Sequence, residues 1–193
     1  MARPREFDEA QVIDRARNAF WSNGVAATSI SALSKATGLS VGSIYKAFAS
    51  KDKLCSLTLE DYLLSGQADL RATVAEAETP WAGIRTWLDA IVDRAADSSP
   101  TRGCYGVALA IERAAVDDDV RAQLVAHDDE LRRIVTEAAN HAIEAGELQG
   151  DPAGVARLVC TTVNGLQVES RKGIERADAQ RTIDLMLLAF APR

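Results

Sequence analysis

Residues 28–54 read TSISALSKATGLSVGSIYKAFASKDKL, a stretch of hydroxyls, amines and small residues with a single carboxylate, Asp52. That set is poorly suited to acid–base or metal chemistry. It suits phosphate oxygens and the edges of bases. The spacing predicts how it is presented. Thr28 or Ser29 caps a helix whose Ile30 and Leu33 face inward, and Gly38 ends it. Leu39 anchors the turn, and Ser40 caps a second helix of about seven residues that buries Ile44 and Phe48. The other face of this second helix shows Val41, Gly42, Ser43, Tyr45 and Lys46. It is polar, basic and free of acid, so it can enter a major groove without repulsion. Ser50 caps the next helix, with Lys51 and Lys53 in its first turn. Cations there oppose the helix dipole at a cost of ~0.3–1 kcal/mol each, only partly offset by Asp52. A phosphate at that end would bind both the free amides and the lysines.

Other reactive residues form no set. Cys55, Cys104 and Cys160 are far apart and odd in number, which argues against a disulfide framework or a zinc site. His127 and His141 are fourteen residues apart on one expected helix, about 21 Å, too far to share a metal. Asp117–Asp119 and Asp128–Glu130 read as helix-start and solvated charges, and Glu137, His141 and Glu144 as a solvated face. No phosphate loop, nucleophile elbow or Ser/His/Asp set is present. The reading is therefore no metal, no cofactor and no enzyme. Cys104 stands apart, at an expected helix start in Arg102-Gly103-Cys104-Tyr105-Gly106. A nearby cation and a helix start both favour thiolate, so a redox or electrophile sensor is one reading and a small buried filler the other.

These residues are carried on an all-α chain of about nine helices. No segment sustains two-residue alternation. The first helix is expected over 9–23, capped by Asp8 with Gln11 at the capping-box position, packed through Ile13, Ala16 and Phe20, and stopped at Gly24. Helices follow at 29–37, 41–48 and from Ser50 to about Glu76. Another opens at Pro80, before a break at 97–103. A short one spans 105–115, a long one 120–146, one 152–173, and a last one carries Ile183 through Phe190. The net charge of −6 is unevenly spread. Residues 1–53 hold eight Lys/Arg against five Asp/Glu, and the rest fourteen against twenty-three. A basic head on an acidic body suggests that only the head meets phosphate. No apolar run spans a bilayer and the N-terminus lacks a secretory pattern, so a cytoplasmic protein with no membrane partner is expected.

The 8–55 segment resembles the DNA-binding domain of the TetR family of regulators, through Ala16, Phe20, Gly24, Thr28, Ser29, Ile30, Leu33, Gly38, Tyr45, Phe48, Lys53 and Leu54. One departure is Ser31-Ala32-Leu33, where the family more often has an acidic or polar residue followed by Ile-Ala. The resemblance implies a helix-turn-helix domain over 1–53 and an effector-binding and dimerisation domain over 54–193. It implies phosphate contacts from Thr28, Ser29, Tyr45 and Lys53. Ser40, Val41, Gly42, Ser43 and Lys46 would lie in or near the groove.

The resemblance further implies a homodimer through the last two helices. Gly154, Thr161, Thr162 and Gly165 would allow close approach, while Leu158, Leu166, Ile183, Met186, Leu187 and Phe190 supply apolar surface. Such a dimer would place two recognition helices about one DNA turn apart on a near-palindromic operator. The central helices would enclose a site for an unknown small-molecule effector. Tyr62, Trp87, Ile91 and Cys104 are candidate lining residues, with Tyr105, Leu109, Asn164 and Gln167. The implied function is a ligand-released repressor. Two alternatives stay open: a helical ligand-binding or catalytic protein with a vestigial head, and a DNA-binding regulator controlled by a protein partner or by thiol modification.

Overall fold

The computed structural model describes residues 7–97 and 103–192, and every regular element among them is helical. The helices are α1 (Glu9–Asn23), α2 (Ile30–Thr37), α3 (Val41–Phe48), α4 (Lys51–Glu76) and α5 (Pro80–Ala96), then α6 (Tyr105–Glu112), α7 (Asp118–Glu144), α8 (Pro152–Ser170) and α9 (Arg176–Leu188). Their starts are encoded locally. Asp8, Ser29, Ser40, Ser50, Thr79, Asp117 and Asp151 each accept, through the side chain, a backbone N–H three residues on. Pro80 and Pro152 occupy first turns, where no N–H is needed. Gly38 ends α2 at φ 77°, a conformation costly for any residue with a Cβ.

Several boundaries differ from expectation, among them α7, which spans Asp118–Glu144 rather than 120–146. α6 stops at Glu112 rather than 115, because Arg113 leaves helical geometry and pairs with Asp52 and Asp117. α8 stops at Ser170. Phe190 lies beyond α9, and its carbonyl accepts from the Gln149 N–H. In α1 the buried stripe is Val12, Ala16 and Phe20, with Ile13 only half-buried.

The core divides into two clusters. One, in the head, joins Phe20, Val25, Leu33, Ile44 and Phe48 to Leu54, Leu59 and Leu63 of α4 and to Tyr105 and Leu109 of α6. The other, in the body, packs α5 against α7, α8 and α9 around Ile84, Leu88, Val135, Val159 and Ile183. α4 passes the expected boundary at residue 53 without a break and contributes to both clusters. Gly83 lets α5 approach α4 closely: a Cβ there would lie 2.6 Å from the Cα of Val74.

Candidate nucleic-acid interface and effector cavity

The helix-turn-helix is held from inside. Ile44 and Phe48 anchor α3 in the head core, which turns Val41, Gly42, Tyr45 and Lys46 outward and leaves Ser43 half-buried. Val41 is 38% and Tyr45 49% exposed, so both side chains are open to a partner. Ser40 caps α3 by accepting from the Ser43 N–H at 3.1 Å, with the two hydroxyls 2.9 Å apart. The exposed face carries no acid in its first turn and has Lys46 in its last. α3 and α4 are joined by a tight turn. Ala49 takes φ 64°, and the Ser50 N–H reaches the Phe48 carbonyl at 2.7 Å. This positive-φ γ-turn leads directly into the start of α4, whose first turn carries the exposed Lys53.

Two expected phosphate contacts are corrected. Thr28 is buried, and its hydroxyl donates to the Gly24 carbonyl at 2.6 Å, with the Ala19 carbonyl at 3.4 Å, closing the turn after α1. Its side chain is therefore committed inside the fold. Lys51 folds back likewise. Its Nζ donates to the Val25 and Thr28 carbonyls at 2.9 and 3.2 Å, which offsets the dipole conflict without any ligand. Asp52 is held by Arg113. Ser29 remains exposed and caps α2, and Lys53 remains exposed at the start of α4.

In the body, Tyr62, Trp87, Ile91, Cys104, Asn164 and Gln167 border one cavity of about 440 Å³. This size suits a small organic ligand. Tyr105 and Leu109 do not border it. They are buried and back a separate hollow between α1 and α6. Tyr105 stands behind the wall, 5.7 Å from the rings of both Tyr62 and Trp21, and bonds Thr58 at 2.9 Å. The expected list lacked several lining groups: Arg17 and Trp21 from α1, Asp69 from α4, Arg94 from α5, and His127 and Leu131 from α7. Arg17 and Trp21 are four apart on α1, off its buried stripe, a spacing that signals a second functional face.

The Tyr62 hydroxyl donates to the Cys104 sulfur at 3.5 Å. Burial pushes the Tyr62 hydroxyl far above its ordinary range; the adjacent Cys104 adds to this and Arg94 opposes it. Burial also pushes the Cys55 and Cys160 thiols up to about 11. Cys104 is half-buried at the start of α6 and borders the cavity. The Arg102 invoked beside it lies outside the described residues. His127 Nδ1 lies 3.1 Å from the amide nitrogen of buried Gln67, and desolvation holds this imidazole below its usual range, against the pull of Asp128.

On α8 and α9 the expected apolar surface is redistributed. Leu166, Ile183, Met186 and Phe190 turn into the protomer's own core, because their positions coincide with the inward stripes of these helices. The outward face of α8 carries Gly154, Leu158, Thr161, Gly165 and Val168, spaced by four and three, and α9 exposes Leu185 and Leu188. Leu187 and Thr162 are half-buried. No described helix is long and apolar enough to cross a membrane, and no described group of His, Cys, Asp or Glu is placed to hold a metal.

Comparison with known proteins decides what this arrangement belongs to. Residues 12–56 match the family model described as bacterial regulatory proteins, tetR family, and residues 80–186 match the tetracyclin repressor-like C-terminal domain. The chain belongs to the TetR family. The TetR regulator CifR, solved in a cysteine-substituted form with 26-bp double-strand operator DNA, is 28% identical. It superposes with a TM-score of 0.85 over 98% of this chain and 100% of its own. The transcriptional repressor ComR of Escherichia coli (strain K12) is 22% identical over 89% of this chain and 83% of its own. Reduced NemR of Escherichia coli has a TM-score of 0.85 over 95% of this chain and 97% of its own, at 16% identity, a likeness of fold. This TetR-family chain is thus a DNA-binding transcriptional regulator.

Proposed function

We propose that this regulator is a repressor that binds a near-palindromic operator as a homodimer and is released by a small molecule in the α4–α8 cavity. One observation carries the reading. α3 presents an exposed, acid-free face of Val41, Gly42, Tyr45 and Lys46, and Lys53 is exposed in the first turn of α4, on a chain whose net charge is −6. An acidic protein that keeps one helix face clear of carboxylates is arranged for phosphate at that face. Lys53, Ser29 and Tyr45 hold the backbone, and Val41, Ser43 and Lys46 meet base edges. Support for repression comes from the likeness to ComR, and for operator binding from the likeness to CifR.

The dimer forms through the outward stripe of α8 and Leu185 and Leu188 of α9. The open space beside Gly165, where an added Cβ would meet nothing, leaves room for a partner helix. The regulator acts in the cytoplasm and carries no catalysis of its own. The test is transcription in vitro from the promoter upstream of its own gene. Transcript should fall as protein is added, with two protomers bound per operator. A rise in transcript overturns repression, and one protomer per site overturns the dimer.

A further inference from the structure

The cavity has two chemically unlike ends. α4 and α5 are joined by only three residues and pack antiparallel, with Gly83 against Thr73 and Val74, so Tyr62 falls level with Arg94, while Asp69 falls level with Thr86 and Trp87. Seven residues of helix, about 10 Å, separate Tyr62 from Asp69. Asp69 is the one carboxylate among the lining residues, and it lies at the far end. Two guanidinium-bearing residues border the Tyr62 end. Arg17 is already neutralised by Asp14 and Asp61. Arg94 is exposed and has no ion-pair partner among the described residues. Between the ends the walls are apolar, formed by Trp87, Ile91, Leu131 and Val163, with the edge-to-face pair of Trp21 and Tyr62 at 5.3 Å.

His127 adds orientation. Its Nδ1 faces the amide nitrogen of Gln67, which can only donate, so the neutral ring carries its proton on Nε2 and has that donor left for a ligand.

We propose that the cavity takes an aromatic carboxylate, its ring among Trp21, Tyr62 and Trp87 and its acid on Arg94. This rests on the reading of the cavity as the effector site. A planar acid matches a guanidinium fork, and the rings give it an apolar seat. The placement also couples ligand to head. Arg17 belongs to α1, and its bond to Asp61 ties the head to α4 at 2.5 Å. An anion at this end competes with Asp61 and Asp14 for Arg17 and loosens that tie.

The test is isothermal titration of the full chain with three probes of one shape: 2-naphthoate, neutral 2-naphthamide and cationic 2-naphthylmethylammonium. Naphthoate should bind about ten-fold more tightly than the amide, as one charge-assisted bond implies, with the ammonium weakest. In Arg94→Gln the advantage of naphthoate should collapse to about two-fold, while the thermal melt stays unchanged, since Arg94 is exposed and has no ion-pair partner among the described residues. Naphthoate should also weaken operator binding by wild type. Equal binding of naphthoate and naphthamide, or an advantage that survives in Arg94→Gln, overturns the carboxylate and leaves the effector site standing. Binding of none of the three overturns both. An Arg94-dependent advantage with unchanged operator affinity overturns the effector reading alone.

Discussion

The carboxylate of Glu112, at the end of α6, accepts the backbone N–H of Val25 at 3.0 Å, in the turn that leads from α1 into the helix-turn-helix. Its second oxygen accepts from Ala26 at 2.7 Å. α6 follows its cap Cys104 on the cavity and ends on this clamp, so one eight-residue helix joins cavity to head. Glu112→Ala should leave two amides short of partners. Stability should fall by ~2 kcal/mol, as expected for hydrogen bonds to a charged group, and a cavity ligand should lose much of its effect on operator affinity. Thermal melts and operator anisotropy with and without ligand measure both. A wild-type melt contradicts the clamp.

Lys51 and Lys53 occupy the same helical turn and do different work. Lys53→Ala should weaken binding to every DNA sequence alike and reduce the slope of log affinity against log salt by about one, while stability stays within ~0.5 kcal/mol. Lys51→Ala should instead destabilise the head by ~1–2 kcal/mol, because the Val25 and Thr28 carbonyls each lose a charged donor. Salt titrations and urea midpoints separate the two. A base-selective loss in Lys53→Ala would count against a phosphate contact.

The three thiols should differ in reactivity. Cys104, half-buried at the cavity, should take a maleimide in the native state, while Cys55 and Cys160 react only on unfolding. Burial raises the latter two from 9.0 to about 11, so the folded chain holds protons that the unfolded chain releases. Their stabilising contribution is complete below pH 9 and is lost as pH rises towards 11, roughly 2 kcal/mol for each. Half-buried Tyr62 and buried Tyr105, whose hydroxyls desolvation also pushes up, act in the same direction at still higher pH. Urea midpoints at pH 8.5 and 10.5 should show the fall, less steeply in Cys160→Ala. A flat profile contradicts the burial of these thiols.

Ala49 is the one described non-glycine residue with positive φ. Glycine there relieves local strain of ~1–3 kcal/mol and gives back up to ~1 kcal/mol through the freer unfolded chain. Ala49→Gly should raise the melting temperature by about 2–4 °C and leave operator affinity unchanged. A lower melting temperature contradicts the strain at this turn.

The helices were legible because their signals are local. A cap residue such as Ser40, a stop such as Gly38 and an inward pair such as Ile44 and Phe48 fix an element within a dozen residues. What a side chain does across the fold was less legible. Thr28 and Lys51 carry the right chemistry for phosphate, but backbone carbonyls claim them: that of Gly24, four residues back, for Thr28, and that of Val25, twenty-six residues back, for Lys51. Tyr105 missed the cavity by one layer, since helical spacing gives a face and not a depth. Arg17 and Trp21 fall within the 1–53 segment, and only the packing of α1 on α4 turns them towards the cavity. On α8 and α9 both faces are apolar enough that periodicity alone could not separate core from interface.

The most direct test places a charge on α3. Ser43 is half-buried on a face with no acid, at the helix position nearest the capping hydroxyl of Ser40. Anisotropy on the DNA upstream of its own gene, at about 50 mM salt, should show tight, salt-sensitive binding by wild type. Ser43→Glu should bind at least about 100-fold more weakly, with an unchanged melting temperature. Equal binding by Ser43→Glu and wild type would contradict α3 as the element that reads DNA.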